Sequence, residues 1–151
     1  MTALGKKFYL TKLGLGRFTD EFEKLRDLRM ERVKEDENHD ELAIINKRLE
    51  DIAQVLQSYE LISVPPKDKR NVVSLGATVS VQSSDGQVND LTIVGTLEAN
   101  PPHGIISNES PVGKALLGKR VGDKVLVHAN SRVSYEVRVV TYGRLGKVRR
   151  A

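Results

Sequence analysis

Five carboxylates fall within the seven residues Glu35-Asp36-Glu37-Asn38-His39-Asp40-Glu41. Like charges packed so closely repel unless water screens them or a cation sits among them. An oxygen-rich cluster suits a hard cation such as Mg²⁺, here one shared with a site on another molecule; His39 beside Asp40 and Glu41 reads as an exposed turn residue sooner than as a His–carboxylate metal ligand. Asp36, Glu37, Asp40 and Glu41 are the candidate ligands. The plainer reading is a solvated turn, with Asp40 capping a helix and Glu41 at its positive end. Upstream, Arg26, Arg29, Arg32 and Lys34 form a run of cations. Some pair with Glu21, Glu23 and Glu31 along a helix surface, and the rest could contact phosphates.

Other patterns point away from independent catalysis. Gly113 to Arg120 nearly spells a phosphate-binding loop, but Arg120 stands where a magnesium-binding hydroxyl is needed. Ala115, Leu116 and Leu117 inside it call for a core. His39, His103 and His128 are dispersed, and there is no cysteine to join them in a metal site. No spacing places a base beside a serine nucleophile.

The acidic cluster must be held by whatever flanks it. Phe18, Phe22, Leu25, Leu28 or Arg29, and Val33 recur at spacings near three and four among charged residues. This predicts a narrow apolar seam on a helix over about 17–35. Leu42, Ile45, Leu49, Ile52, Leu56 and Tyr59 predict a second helix over about 40–60. Asn38-His39-Asp40 is a turn between them. Two seamed helices joined by a short loop bury both stripes by packing antiparallel. Thr11 is a competent N-cap, while Gly14 and Gly16 weaken the turns after it.

Pro65-Pro66 ends this half, and Lys67-Asp68-Lys69-Arg70 reads as a charged linker. The predicted division is a hairpin over 1–64, a linker over 65–71, a second domain over 72–143 and a basic tail over 144–151. Val72-Val73, Thr78–Val81, Leu91–Val94, Lys124–Val127 and Tyr135–Val140 are β-branched, strand-like runs. Asp85-Gly86 predicts a hairpin turn. Pro111 to Leu117 is a short helix with proline at its first position. The fold class is α+β, an antiparallel coiled-coil hairpin followed by a predominantly antiparallel sheet with one short helix on it.

The chain has 151 residues, 39% hydrophobic and 29% charged, with a formal net charge of +4. That suits an exposed helical hairpin joined to a small β-rich domain. Part of the excess charge lies in Lys147, Arg149 and Arg150, and fits modest affinity for RNA, DNA or an acidic protein surface. The absence of cysteine fits a reducing, cytoplasmic setting. No apolar run approaches the ~18 residues of a membrane span, and Met1 to Leu10 lacks a secretory signal's apolar stretch.

The chain resembles the GreA/GreB family of bacterial transcription elongation factors. The resemblance lies in Leu75-Gly76-Ala77-Thr78-Val79, in Ile93-Val94-Gly95 with Glu98-Ala99, and in Ile106-Ser107 with Ser110-Pro111. It continues through Ala115 to Lys119, Val121-Gly122-Asp123 and Tyr135-Glu136-Val137. Tyr9-Leu10-Thr11, Gly14 and the run from Arg48-Leu49 to Leu61-Ile62 extend it to the front. The resemblance implies a coiled coil followed by a domain of FKBP-like fold, in a monomer that binds RNA polymerase and is no enzyme alone. It implies that Ser107, Ser110 and Pro111 dock on the rim of the polymerase secondary channel. Tip carboxylates then help hold a second Mg²⁺ at the polymerase active site, where backtracked RNA is cut.

Two departures from the family pattern stand out. Each arm of the hairpin is shorter by roughly eight residues, about 12 Å of reach at the helical rise. Glu37-Asn38 fits the family's Glu-Asn, but Lys34 stands where the pattern has Asp, so Asp36, Asp40 or Glu41 would substitute. The second reading is therefore a regulator that occupies the channel without promoting cleavage. A third, peptidyl-prolyl isomerisation, rests on fold alone, and Tyr135 and Tyr142 are the only aromatics to line such a pocket.

Overall fold

The computed structural model describes residues 7–34, 39–128 and 132–143. Strand β1 (Phe8–Leu10) leads into helix α1 (Lys12–Val33). Helix α2 (His39–Gln57) runs back along it and ends in strand β2 (Tyr59–Leu61). Then follow β3 (Thr78–Ser83), β4 (Val88–Val94), β5 (Ile105–Ser107), α3 (Pro111–Leu116), β6 (Lys124–His128) and β7 (Arg132–Thr141). None of the described helices is long and apolar enough to cross a membrane.

The hairpin forms because both apolar stripes need a partner. Phe18, Phe22, Leu25 and Leu28 are half-buried on α1. Ile45, Ile52 and Val55 are buried on α2. Cross-links fix the antiparallel register: Arg48 clasps both oxygens of Glu21 at 2.7 and 2.8 Å, and Arg29 Nε donates to Asn46 at 2.7 Å. The Arg48 guanidinium also lies 6.0 Å from the Phe18 ring centre.

Three details differ from the sequence reading. Helix α1 begins at Lys12, five residues before Arg17, because the Thr11 hydroxyl caps it by accepting from Gly14 N–H at 3.0 Å. The seam of α1 ends on the half-buried Arg32, and Val33 points outward at 55% exposure. Tyr59 belongs to no helix: it pairs with Phe8 in a two-stranded parallel sheet with β1. This sheet ties the start of the hairpin to its end.

The second half is a five-stranded sheet in the order β5-β4-β3-β7-β6, with α3 against one face. All pairs are antiparallel except β4 with β5, which run parallel. Val73, Ala77, Val79, Val81, Ile93, Ile106, Leu116, Val125, Val127 and Val137 form its core. Alternation along β6, where Val125 and Val127 are buried and Lys124, Leu126 and His128 exposed, shows how the period of two builds a one-sided sheet. Val72-Val73 makes only an isolated bridge, Val72 to Arg120. Asp85-Gly86 turns β3 into β4 as predicted. The Ser83 hydroxyl and then Gln87 N–H hold the Asp85 carboxyl below its usual range.

Candidate functional site

The described end of the hairpin is built by the last turn of α1 and the first of α2. Lys34 closes α1, its N–H reaching Glu31 O at 3.3 Å, and it is exposed. Asp40 and Glu41 occupy the first turn of α2, where carboxylates complement the helix dipole. Asp40 is exposed, while Glu41 Oε1 accepts from Arg32 Nε at 2.8 Å. Asp36 and Glu37 lie outside the described residues. Among the described residues no three His, Asp or Glu side chains gather into a metal site. The exposed His39 begins α2 beside these two carboxylates.

The predicted basic contacts separate in space. Arg29, exposed, donates across the hairpin to Asn46, and half-buried Arg32 donates to Glu41. Arg26 and Lys34 are exposed and remain presented to solvent.

The Ser-Pro loop is rigidly made. Ser110 caps α3: its hydroxyl donates to Ser107 O at 2.7 Å and accepts from Gly113 N–H at 3.1 Å. Pro111 takes the first helical position, where its missing N–H costs nothing. The Ser107 hydroxyl accepts from Glu109 N–H at 3.0 Å and bonds Thr96 Oγ1 at 2.7 Å. Thr96 Oγ1 in turn donates to Glu109 Oε1. The three candidates Ser107, Ser110 and Pro111 therefore share one structured loop.

Sequence reasoning missed two of its supports, Thr96 and Glu109. It also missed the role of Glu98, which closes a different contact. Glu98 Oε2 accepts from Thr11 N–H at 2.7 Å and Oε1 from the Thr11 hydroxyl at 2.6 Å. Glu98-Ala99 and Thr11 are each legible as family matches, but nothing in their spacing says that they meet across 87 positions.

The cavity beside the Pro101–Gly104 turn has Val81, Leu91 and Tyr135 in its lining. Tyr142, the other aromatic of this half, is engaged elsewhere. Its hydroxyl donates to Val72 O and accepts from Ser74 N–H.

A helical hairpin rooted on a small sheet domain that carries a capped Ser-Pro loop defines a two-part α+β protein. Residues 67–142 match the family described as transcription elongation factor, GreA/GreB, C-terminal. The chain is 44% identical over 99 residues to transcription elongation factor GreA of Thermomicrobium roseum, a match covering 66% of this chain and 62% of that relative. It is 34% identical over 140 residues to GreA of Geobacillus kaustophilus, covering 81% of this chain and 88% of the relative. The crystal structure of GreA factor homolog 1 from Thermus thermophilus is 25% identical, covering 90% of this chain and 99% of that one, with a TM-score of 0.44. The chain belongs to the GreA/GreB family of transcription elongation factors.

Proposed function

We propose that this protein is an elongation factor that grips the rim of the RNA polymerase secondary channel through the Ser107–Pro111 loop. From there the hairpin enters the channel and brings its acidic end to the polymerase active site, beside the 3′ end of backtracked RNA. The observation that carries this reading is the pairing, in a member of this family, of a pre-formed loop with a cross-braced hairpin. Ser110 is fixed by two hydrogen bonds, and the arm is held by the Glu21–Arg48 and Arg32–Glu41 pairs.

A second Mg²⁺ bound at the polymerase centre would supply Lewis-acid activation of the cleaving water. This chain's part is to offer carboxylates from Asp36, Glu37, Asp40 and Glu41. Asp40 is exposed and Glu41 is braced by Arg32, so the first turn of α2 presents its acids on a stiff support. Arg26 and Lys34 can neutralise RNA phosphates passing the arm. The chemistry belongs to the polymerase.

One observation favours a second reading. Helix α1 stops at Val33 and is capped by the cation Lys34, so its 22 residues span about 33 Å. A short arm with a cation near its end suits a regulator that fills the channel without promoting cleavage. Stalled, backtracked complexes incubated with the protein decide between them. The first reading predicts release of short 3′ RNA fragments. It also predicts loss of that release when Asp36, Glu37, Asp40 and Glu41 are all replaced by alanine, with polymerase binding kept. Unchanged release in that variant would remove the tip assignment. Competition with a full-length GreA without any release would establish the second reading.

A further inference from the structure

We propose that Glu98 is a positioning residue that sets the angle of the hairpin relative to the docking loop, through the three-residue turn Thr96–Glu98. The inference rests on the docking and insertion roles proposed above. Each end of the turn is tied to a different working part. At one end Thr96 bonds Ser107 and Glu109, inside the Ser107–Pro111 loop. At the other end Glu98 takes both donors of Thr11, the residue that caps α1.

This carboxylate is part of the first turn of the arm. Thr11 is 4% exposed, and Glu98 satisfies both its N–H and its hydroxyl. The Thr11 hydroxyl donates to Glu98 while accepting from Gly14 N–H, so cap and clasp share one oxygen. Two glycines keep the joint closed. A Cβ at Gly14 would lie 2.3 Å from Glu98 Cδ, and one at Gly95 would lie 2.2 Å from Tyr9 O. At Gly95 the clash is with backbone, and at Gly14 a Cβ would push the Glu98 carboxylate off Thr11. Leu97, between the two ties, sits at the root of the arm beside Phe8 and Phe18. A small tilt at Thr11 is magnified along a helix of 22 residues, so the acids at the far end move most.

The natural absence of cysteine makes the test direct. Spin labels on Lys24→Cys, exposed on α1, and Lys114→Cys, exposed on α3, report the angle in the intact free protein by pulsed EPR. The wild-type background is expected to give one narrow distance distribution. Glu98→Ala, and independently Gly14→Ala, are expected to broaden it at least twofold. Glu98→Gln keeps the volume but can accept through one oxygen only. It is expected to broaden the distribution less, and it serves if Glu98→Ala folds too weakly to measure. With polymerase, Glu98→Ala is expected to keep the half-saturating concentration within twofold while maximal RNA release falls about tenfold. An unchanged distance distribution would overturn the proposal, as would a broadened one with full maximal release. Wild-type protein that releases no RNA would contradict the cleavage reading instead, and the distance distribution alone would then decide the role of Glu98.

Discussion

At the residue scale, charge and capping contributions are small but readable. The hydrogen bonds from Arg48 hold the Glu21 carboxyl below its usual range. A carboxyl depressed by folding stabilises the native state above its unfolded pKa, and the gain is lost as pH falls through the native value. Glu21 and Arg48 side chains are 40% and 45% exposed, so the gain is screened and amounts to less than ~1 kcal/mol. Urea midpoints of wild type and Glu21→Gln should therefore differ slightly and constantly at neutral pH. The gap should close as pH drops below the ordinary glutamate range, and high salt should shrink it. Ser110→Ala removes the cap of α3 and should cost about 1 kcal/mol, read as a lower urea midpoint with unchanged slope. Because the same hydroxyl shapes the loop with Ser107, that variant should also weaken competition for polymerase. Retained competition would detach the loop from docking.

At the element scale, the hairpin depends on a few apolar residues. Ile52 is fully buried midway along α2. Ile52→Ala should cost 2–5 kcal/mol by the usual cost of an unfilled core site, seen as a lower midpoint of helical circular dichroism. Exposed Ile44, at 71%, should tolerate the same change with little effect. The seams were legible because Ile45, Leu49, Ile52 and Leu56 repeat at three and four, a spacing only a helix turns into a stripe. Where α2 stops was not legible. Tyr59 continues that spacing, and no glycine or proline intervenes before Pro65. The helix ends because Tyr59–Leu61 pairs with Phe8–Leu10, a partner about fifty positions away that local pattern cannot reveal. The same holds for the parallel pairing of β4 with β5: strand residues announce a strand, not its neighbour. At the tip, the acidic run was visible as chemistry, while the engagement of Glu41 by Arg32 needed the folded hairpin to appear.

At the scale of the whole molecule, the protein is a helical arm and a sheet domain that also meet at the Thr96–Glu98 turn. The sheet domain has an apolar core, and its Ser-Pro loop is fixed by its own hydrogen bonds. The arm is a hairpin narrow enough that charged side chains rather than a wide core brace it. The joint is where their geometries are reconciled, at Thr11, Gly14, Gly95 and Glu98. If this assembly works as proposed, docking at one end specifies where the other end lies. The measurement that tests this most directly is a photo-crosslinker placed at residue 40 in a backtracked polymerase complex. The account predicts a crosslink between this chain and the 3′ segment of the RNA or the walls of the active centre, abolished when the Ser107–Pro111 loop is disrupted. Crosslinks confined to the outer surface of the polymerase, or unchanged by disrupting that loop, would contradict it.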